Sequence, residues 1–191
     1  MKNIINHGEL FEGINYSEQR KMNEEFEDCE FRNCNFSKCD LSGSDFVNCN
    51  FTTCDFTLTA LRNSAFKGLK FNDCKLMGIE FGSCNDFLFD VNFENCNLDY
   101  SSFIHKRMKK TRFINCSLRQ VDFRNTDLSR TIFNNCDLLD ANFSETTLEK
   151  VDFRSARNFN IDPEFNRLKA AKFNNVQLAG LLTKYNLEIE V

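Results

Sequence analysis

Ten cysteines and two histidines are the residues of this chain best suited to chemistry. These types bind metal ions when they cluster, as in paired cysteines separated by two residues and followed by histidines. Here no such pair occurs, and His7 and His105 lie far from any cysteine pattern of that kind. We therefore predict no metal site. The cysteines are Cys29, Cys34, Cys39, Cys49, Cys54, Cys74, Cys84, Cys96, Cys116 and Cys136.

Each cysteine lies two residues before a position of a five-residue apolar repeat. In the stretch from Glu27 to Phe56, a Phe or Leu occupies every fifth position. Other repeats carry Ser, Thr, Ala or Val where these carry Cys. We therefore interpret the cysteines as small buried side chains and not as reactive groups.

A period of five fits neither an α-helix face, which repeats every 3.6 residues, nor a strand face, which repeats every two. It requires a backbone that turns a corner once per repeat, which is typical of a solenoid. The apolar centres run from Phe26 to Phe81, step by seven residues to Leu88, and continue to Phe153, giving 26 repeats. Two extra residues therefore lie within Ser83 to Phe87, where we predict a small bulge.

The cysteines also indicate a longer period. Cys34, Cys54 and Cys74 are each separated by four repeats, so four repeats make one coil, and the same interval recurs from Cys96 to Cys136. Coils stacked about 4.8 Å apart place these cysteines in one internal ladder. Their parallel side chains and a reducing compartment argue against disulfides.

The ends of the chain depart from the repeat. We predict a cap or lead-in at 1–23, the β-helix at 24–158, and a C-terminal coil, helix and tail at 159–191. Asp162 followed by Pro163 is a typical helix start, so a short helical turn is expected to reach Leu168. The repeat then resumes at Ala171–Phe173.

The tail is predicted to form a helix from Leu178 to Tyr185 and a strand through Leu187, Ile189 and Val191. It either caps the last coil or forms a homodimer contact, and the two roles are compatible. The candidate dimer contacts are Leu178, Leu181, Leu182 and Tyr185.

Composition is consistent with one folded domain of 191 residues. Phe occurs 22 times, Pro once and Gly seven times, which excludes collagen-like, proline-rich and disordered chains. No apolar run is long enough for a signal peptide core or a membrane span, so a cytoplasmic location is expected.

The net charge of −4 hides an uneven distribution. Positions 1–60 carry 11 acids and 5 bases, whereas positions 101–130 carry 8 bases and 2 acids. Lys106 occupies an inward position, so either the backbone bulges there or its side chain leaves the core at a corner. Each charged run is either a solvated face or a contact for a partner. The candidate partner-facing acids are Glu25, Glu30, Asp40, Asp45 and Asp55, and the candidate basic patch is Lys106, Arg107, Lys109, Lys110 and Arg112.

No catalytic constellation is present. The Ser and Thr residues have no His in a recognisable arrangement, and the glycines are scattered and form no phosphate-binding loop. A solenoid filled with Phe also offers no cleft in which acids could acquire shifted pKa values. We predict a protein that is not an enzyme and needs no cofactor.

The repeat pattern resembles the pentapeptide-repeat family. Each unit has a small residue, an outward Asp or Asn, a central Phe or Leu and two polar residues, from Glu24 to Ala156. The resemblance implies an all-β fold, a right-handed quadrilateral parallel β-helix in which the central residue and the small residue before it face inward.

The resemblance also implies a function. Family members of the quinolone-resistance and topoisomerase-inhibitor type mimic duplex DNA and occupy the DNA-binding saddle of DNA gyrase or topoisomerase IV. The tail is similar to their C-terminal dimerisation module. The alternative is a structural, scaffolding or immunity-type protein with another protein partner. Direct nucleic-acid binding through the basic run is disfavoured by the negative total charge.

Overall fold

The computed structural model describes residues 5–87 and 89–188. Within these residues, eleven short strands form two parallel sheets, in which each strand pairs with its equivalent in the next coil, as Phe26 does with Phe46. The predicted all-β parallel solenoid is confirmed. The first sheet contains β1 (Ile5–His7), β3 (Glu25–Glu27), β5 (Asp45–Val47) and β7 (Ala65–Lys67). The second contains β2 (Leu10–Glu12), β4 (Glu30–Arg32), β6 (Asn50–Thr52), β8 (Leu69–Asn72), β9 (Val91–Glu94), β10 (Arg112–Ile114) and β11 (Ile132–Asn134).

The rod has four faces, numbered in the order in which the chain visits them. Face 1 carries the first sheet and continues through single parallel bridges, from Arg107 to Asp127 and from Asp127 to Thr147 to Arg167. Face 2 carries the second sheet. On faces 3 and 4, successive coils are joined by isolated parallel bridges in the described residues. The described face 1 segments of coils 1–9 are 5–8, 25–28, 45–48, 65–68, 87 with 89–90, 107–110, 127–130, 147–150 and 167–170.

The corner of each repeat is made by the residue two positions after the centre. Most of these residues have a positive φ, for example +52° at Asn33 and +54° at Asn48. Asn, Asp and Gly tolerate this left-handed conformation better than other residues. Their frequent occurrence at that position is therefore a backbone requirement, and it is visible in the sequence.

The core consists of Phe rings stacked along the rod. In the all-Phe column behind face 2, Phe113 lies between Phe93 and Phe133 at centroid distances of 5.2 and 5.0 Å. Rings of neighbouring columns, such as Phe103 and Phe123, meet Phe113 edge to face at 6.2 and 6.1 Å. Stacked and edge-to-face contacts are the favourable geometries for aromatic pairs.

The small inward residues do more than fill space. The Cys54 thiol donates to the carbonyl of Phe31 at 3.5 Å, and the Thr126 hydroxyl donates to the carbonyl of Phe103 at 2.8 Å. Ser64 donates in the same way to Leu41 at 2.9 Å. Cys, Ser and Thr therefore interchange because each links its coil to the preceding one.

Residues 5–23 form the first coil, although Asn6 and Lys21 occupy centre positions that are apolar in later coils. Asn6 pairs with Phe26, and the bridge from Arg20 to Asp40 completes the register. Both side chains are only partly buried, so polar residues are tolerated at these two inward positions. This relaxation obscures the first coil in the sequence pattern.

The insertion forms a 3₁₀ helix, Phe81–Ser83, followed by a turn. The predicted centre Leu88 lies outside the described residues. Next to it, Phe89 is buried, and its ring stacks over that of Phe66 at 6.4 Å. Phe87 points outward and is 75% exposed.

The two alternatives given for Lys106 are both wrong. Lys106 keeps the regular parallel register, and only 1% of its side chain is exposed. Its ammonium donates to the Cys84 carbonyl and to Asp86, both at 2.5 Å, and lies 5.3 Å from the ring of Phe89. The insertion itself supplies the acceptors that allow a charged side chain to be buried at this position.

The C-terminal predictions need correction. Residues 163–168 form no helix, and Arg167 already bridges to Thr147 as part of coil 9. The predicted helix is two 3₁₀ segments, Asn175–Leu181 and Thr183–Tyr185, with Asn174 capping the first. Of the expected strand, Leu187 has no regular structure, and Ile189 and Val191 lie outside the described residues.

Replacing Phe113 with Ala should lower the free energy of unfolding by about 3–5 kcal/mol, because a fully buried ring in the middle of the stack is removed. Phe173→Ala is the matched control at the end of the same column, where the ring is partly exposed. Guanidinium unfolding followed by circular dichroism measures both. Equal losses of unfolding free energy in the two variants would contradict a continuous core, because a central ring contacts more neighbours than a ring at the end of the column.

Replacing Lys106 with Met should cost about 2 kcal/mol, since the Cys84 carbonyl and Asp86 lose a charged donor. Lys169→Met, at an exposed position, should have little effect. Hydrogen exchange at the Asn85 amide should be faster in the Lys106 variant. This amide donates to the Ser64 carbonyl, and Lys106 fixes the turn in which Asn85 lies. Unchanged exchange and stability would show that Lys106 does not fix the insertion.

Candidate protein-interaction surface

The cysteines are all free and buried. Burial raises the pKa of Cys39 to about 11 and the pKa of Cys49 and of Cys84 to about 12. These thiols stay protonated at neutral pH, so they are poor nucleophiles. Across residues 5–87 and 89–188, no three His, Cys, Asp or Glu side chains are grouped to hold a metal ion.

Surface hollows are present although the interior is filled. One of about 470 Å³ near the C-terminal end is lined by residues including Asp140, Asn142 and Phe165. Of its two acids, Asp162 is bound to Lys184 at 2.9 Å, and hydrogen bonding to this lysine lowers the pKa of Asp162. The hollow therefore offers a polar, open surface.

The five candidate acids do not form one surface. Glu25 and Asp45 lie side by side on face 1, in β3 and β5. Glu30 lies on face 2, where it accepts from Arg32. Asp55 and Asp40 lie on faces 3 and 4. The structure thus distributes these acids around the whole rod, and only two of them are neighbours.

Asp40 and Asp55 have a structural role. The carboxylate of Asp40 accepts the backbone amide of Ser42 at 3.1 Å, and that of Asp55 accepts the amide of Thr57 at 2.9 Å. This local bond is typical of Asp and Asn in turns. Hydrogen bonding from Ser42 lowers the pKa of Asp40. Their place in the repeat is therefore explained without a partner.

Glu25 and Asp45 have neighbours that sequence analysis missed. Glu27 and Asp28 follow on the same face, about half exposed, with His7 at 3.6 and 3.9 Å. Burial, and after it the charge of Glu25, raises the pKa of Asp45. Sorting all three outward positions of each repeat by coil would have found this cluster. The position before the centre alone does not reveal it.

The five residues of the candidate basic patch lie in three different places. Lys106 is inside the rod and does not belong to the patch. Arg112 lies in β10 on face 2. Arg107, Lys109 and Lys110 lie exposed on face 1, and Lys109 reaches Asp127 at 3.1 Å. Face 1 therefore has an acidic segment in coils 2 and 3 and a basic segment in coil 6.

The tail both covers the core and exposes apolar surface. Leu181 packs against the core, and the Gly180 backbone approaches the Phe159 carbonyl so closely that a Cβ at this position would clash with it. Leu178 and Tyr185 are 43% and 52% exposed, and Tyr185 donates to Glu164 at 3.1 Å. Leu182 is partly exposed between the two 3₁₀ segments.

Within the described residues, no helix has the length and hydropathy needed to cross a membrane. A comparison of the sequence with curated proteins found no significant match. Among solved structures, a trypsin-treated form of QnrB1, a plasmid-mediated fluoroquinolone resistance protein, has a TM-score of 0.63. It is 19% identical to this chain, with 100% of both chains aligned.

Full-length QnrB1 has a TM-score of 0.62 and 18% identity, over 96% of this chain and 100% of that one. Identities this low support the shared fold alone. The family described as "Pentapeptide repeat region" matches residues 24–103 and 106–182, so only Ile104 and His105 lie between the two matched stretches. The chain therefore belongs to the pentapeptide-repeat family.

Proposed function

We propose that this chain is a non-enzymatic, cytoplasmic rod that binds a protein partner through its charged faces. The observation that carries the proposal is the arrangement of face 1, where acidic and basic segments are displayed on one continuous scaffold. A core of stacked rings holds these charges in fixed positions, and preorganised charge favours specific association.

The proposed partner is a type II topoisomerase, DNA gyrase or topoisomerase IV. Support comes from the family resemblance and from the acids of coils 2 and 3, which follow one another at the coil spacing of about 4.8 Å. A DNA-binding protein presents Lys and Arg side chains to phosphates, and closely spaced carboxylates compete for them. Glu25, Glu27, Asp28 and Asp45 are the residues that would do so.

A different protein partner is the second candidate, with a scaffolding or immunity-type role. The basic segment Arg107, Lys109 and Lys110 favours it, because a DNA mimic gains nothing from positive charge on the same face. Such a partner would present an acidic surface to coil 6 and a basic surface to coils 2 and 3. The two candidates differ in which half of face 1 is essential.

Purified protein should inhibit supercoiling by DNA gyrase at micromolar concentrations or protect the enzyme from a quinolone. The combined variant Glu25→Gln, Glu27→Gln and Asp28→Asn should need about tenfold more protein, because charge complementarity is lost. Glu145→Gln, an exposed change on face 4, is the control. Absence of both inhibition and protection would reject the topoisomerase proposal and leave the second candidate.

We also propose that the tail forms a homodimer contact through Leu178, Leu181, Leu182 and Tyr185. Leu182→Asp or Leu178→Asp should halve the mass measured by light scattering, since a charge would be buried in the contact. Leu139→Asp, a similarly exposed leucine on face 3, is the control. An unchanged mass with intact circular dichroism would restrict the tail to capping.

A further inference from the structure

The acidic and basic segments of face 1 occupy matching positions. In coil 2, the three outward positions hold Glu25, Glu27 and Asp28. In coil 6, the same three positions hold Arg107, Lys109 and Lys110. Four coil spacings separate the two sets, or about 19 Å along the rod. Each charge of one set thus has an opposite charge at the same lateral position in the other.

This arrangement is self-complementary under a two-fold rotation. The rotation axis lies in the plane of the contact, runs parallel to the strands and passes through coil 4. Rotation about it reverses the direction of the rod, and each residue keeps its lateral position across the face. It brings coil 2 of one copy opposite coil 6 of the other. Glu25 then meets Arg107, Glu27 meets Lys109 and Asp28 meets Lys110, and symmetry makes each pair twice.

We propose that face 1 is the contact surface for a second copy of this chain, bound antiparallel about coil 4. This contact is separate from the tail and does not depend on a topoisomerase partner. The occupant is identified by charge: six opposite-charge pairs form in one symmetric arrangement, whereas a parallel alignment in register would oppose like charges.

The centre of the contact fits close approach. Coil 4 presents Ala65 and Gly68, which have little or no side chain above the backbone. On either side, the exposed Phe87 of coil 5 lies opposite coil 3, where Val47 is partly exposed. Lys106 holds the turn that carries Phe87 through its bond to Asp86. Lys67 opposes its own copy at the axis, and this repulsion weakens the contact.

Existing side-chain contacts on face 1 do not compete strongly. Lys109 pairs with Asp127 at 3.1 Å with its side chain 61% exposed. His7 lies 3.6 Å from Glu27, and both are more than half exposed. Exposed pairs contribute about 0–1 kcal/mol, so they can be exchanged for contacts across the interface at small cost. Asp45 lies beside Glu25 in the next coil, so an Arg107 from the second copy would also come within one coil of Asp45.

One face of a slender rod buries a small area, so the contact should be weak and sensitive to salt. Sedimentation equilibrium of the full chain should give a dissociation constant at least about tenfold larger in 0.5 M than in 0.05 M sodium chloride. Measurements in the Leu178→Asp background exclude the tail contact. A monomer at both salt concentrations in that background would overturn the proposal.

Charge reversal provides the specific test. Variant A carries Glu27→Lys and Asp28→Lys, so both segments are basic, and variant B carries Lys109→Glu and Lys110→Asp, so both are acidic. Lys and Asp already occur at the positive-φ corner, so the changes at 28 and 110 suit the backbone. In the Leu178→Asp background, which removes the tail contact, each variant alone should be monomeric, and an equimolar mixture should form A–B dimers.

The mixture separates this contact from a structural effect, because misfolded variants would not regain association when combined. Failure of A and B to associate, or dimerisation of A alone, would overturn the proposal. Lys67→Ser tests the position of the axis: removing the like-charge contact should lower the dissociation constant several-fold. An unchanged or larger constant would contradict an axis through coil 4.

Discussion

The parallel register that pairs each residue with its equivalent one coil later is the constraint on which the rest of the structure depends. It stacks Phe113 on Phe93, and it places the Cys54 thiol under the Phe31 carbonyl. The same register stacks outward residues, so a surface property of one coil continues into the next. Core and surface are therefore set by one repeat, and any charge pattern that recurs once per coil becomes a stripe along a face.

Much of this could be predicted from sequence because the core signal is strict. Phe31 and its successors cannot face water in such numbers, and a coil of four five-residue repeats brings them together inside the rod. The first coil is not evident in the sequence because Asn6 and Lys21, both only partly buried, replace apolar centres. The helical turn predicted at 163–168 is wrong because Asp162 and Pro163 also suit a turn. The bridge from Arg167 to Thr147 keeps this segment in the register of the coils, which outweighs the local helix preference.

The candidate surface was harder to predict, since surface residues face fewer constraints. Asp40 and Asp45 look equivalent in sequence, yet the first accepts the Ser42 amide and the second stacks beside Glu25. Faces with strands satisfy backbone amides through the ladder, whereas turn faces recruit Asp and Asn side chains for the same purpose. An outward acid is thus evidence of a partner surface mainly where the backbone does not need it.

Lys106 shows how a departure from the repeat can be stabilised locally. A buried ammonium is costly unless charged or polar acceptors surround it, and the two extra residues bring the Cys84 carbonyl and Asp86 into reach. The insertion and the irregular inward lysine therefore explain each other, although they are distant in sequence. Because the turn after the 3₁₀ helix leads into face 1 at coil 5, between the acidic and basic segments, the pair that buries Lys106 also fixes which residues the middle of that face exposes.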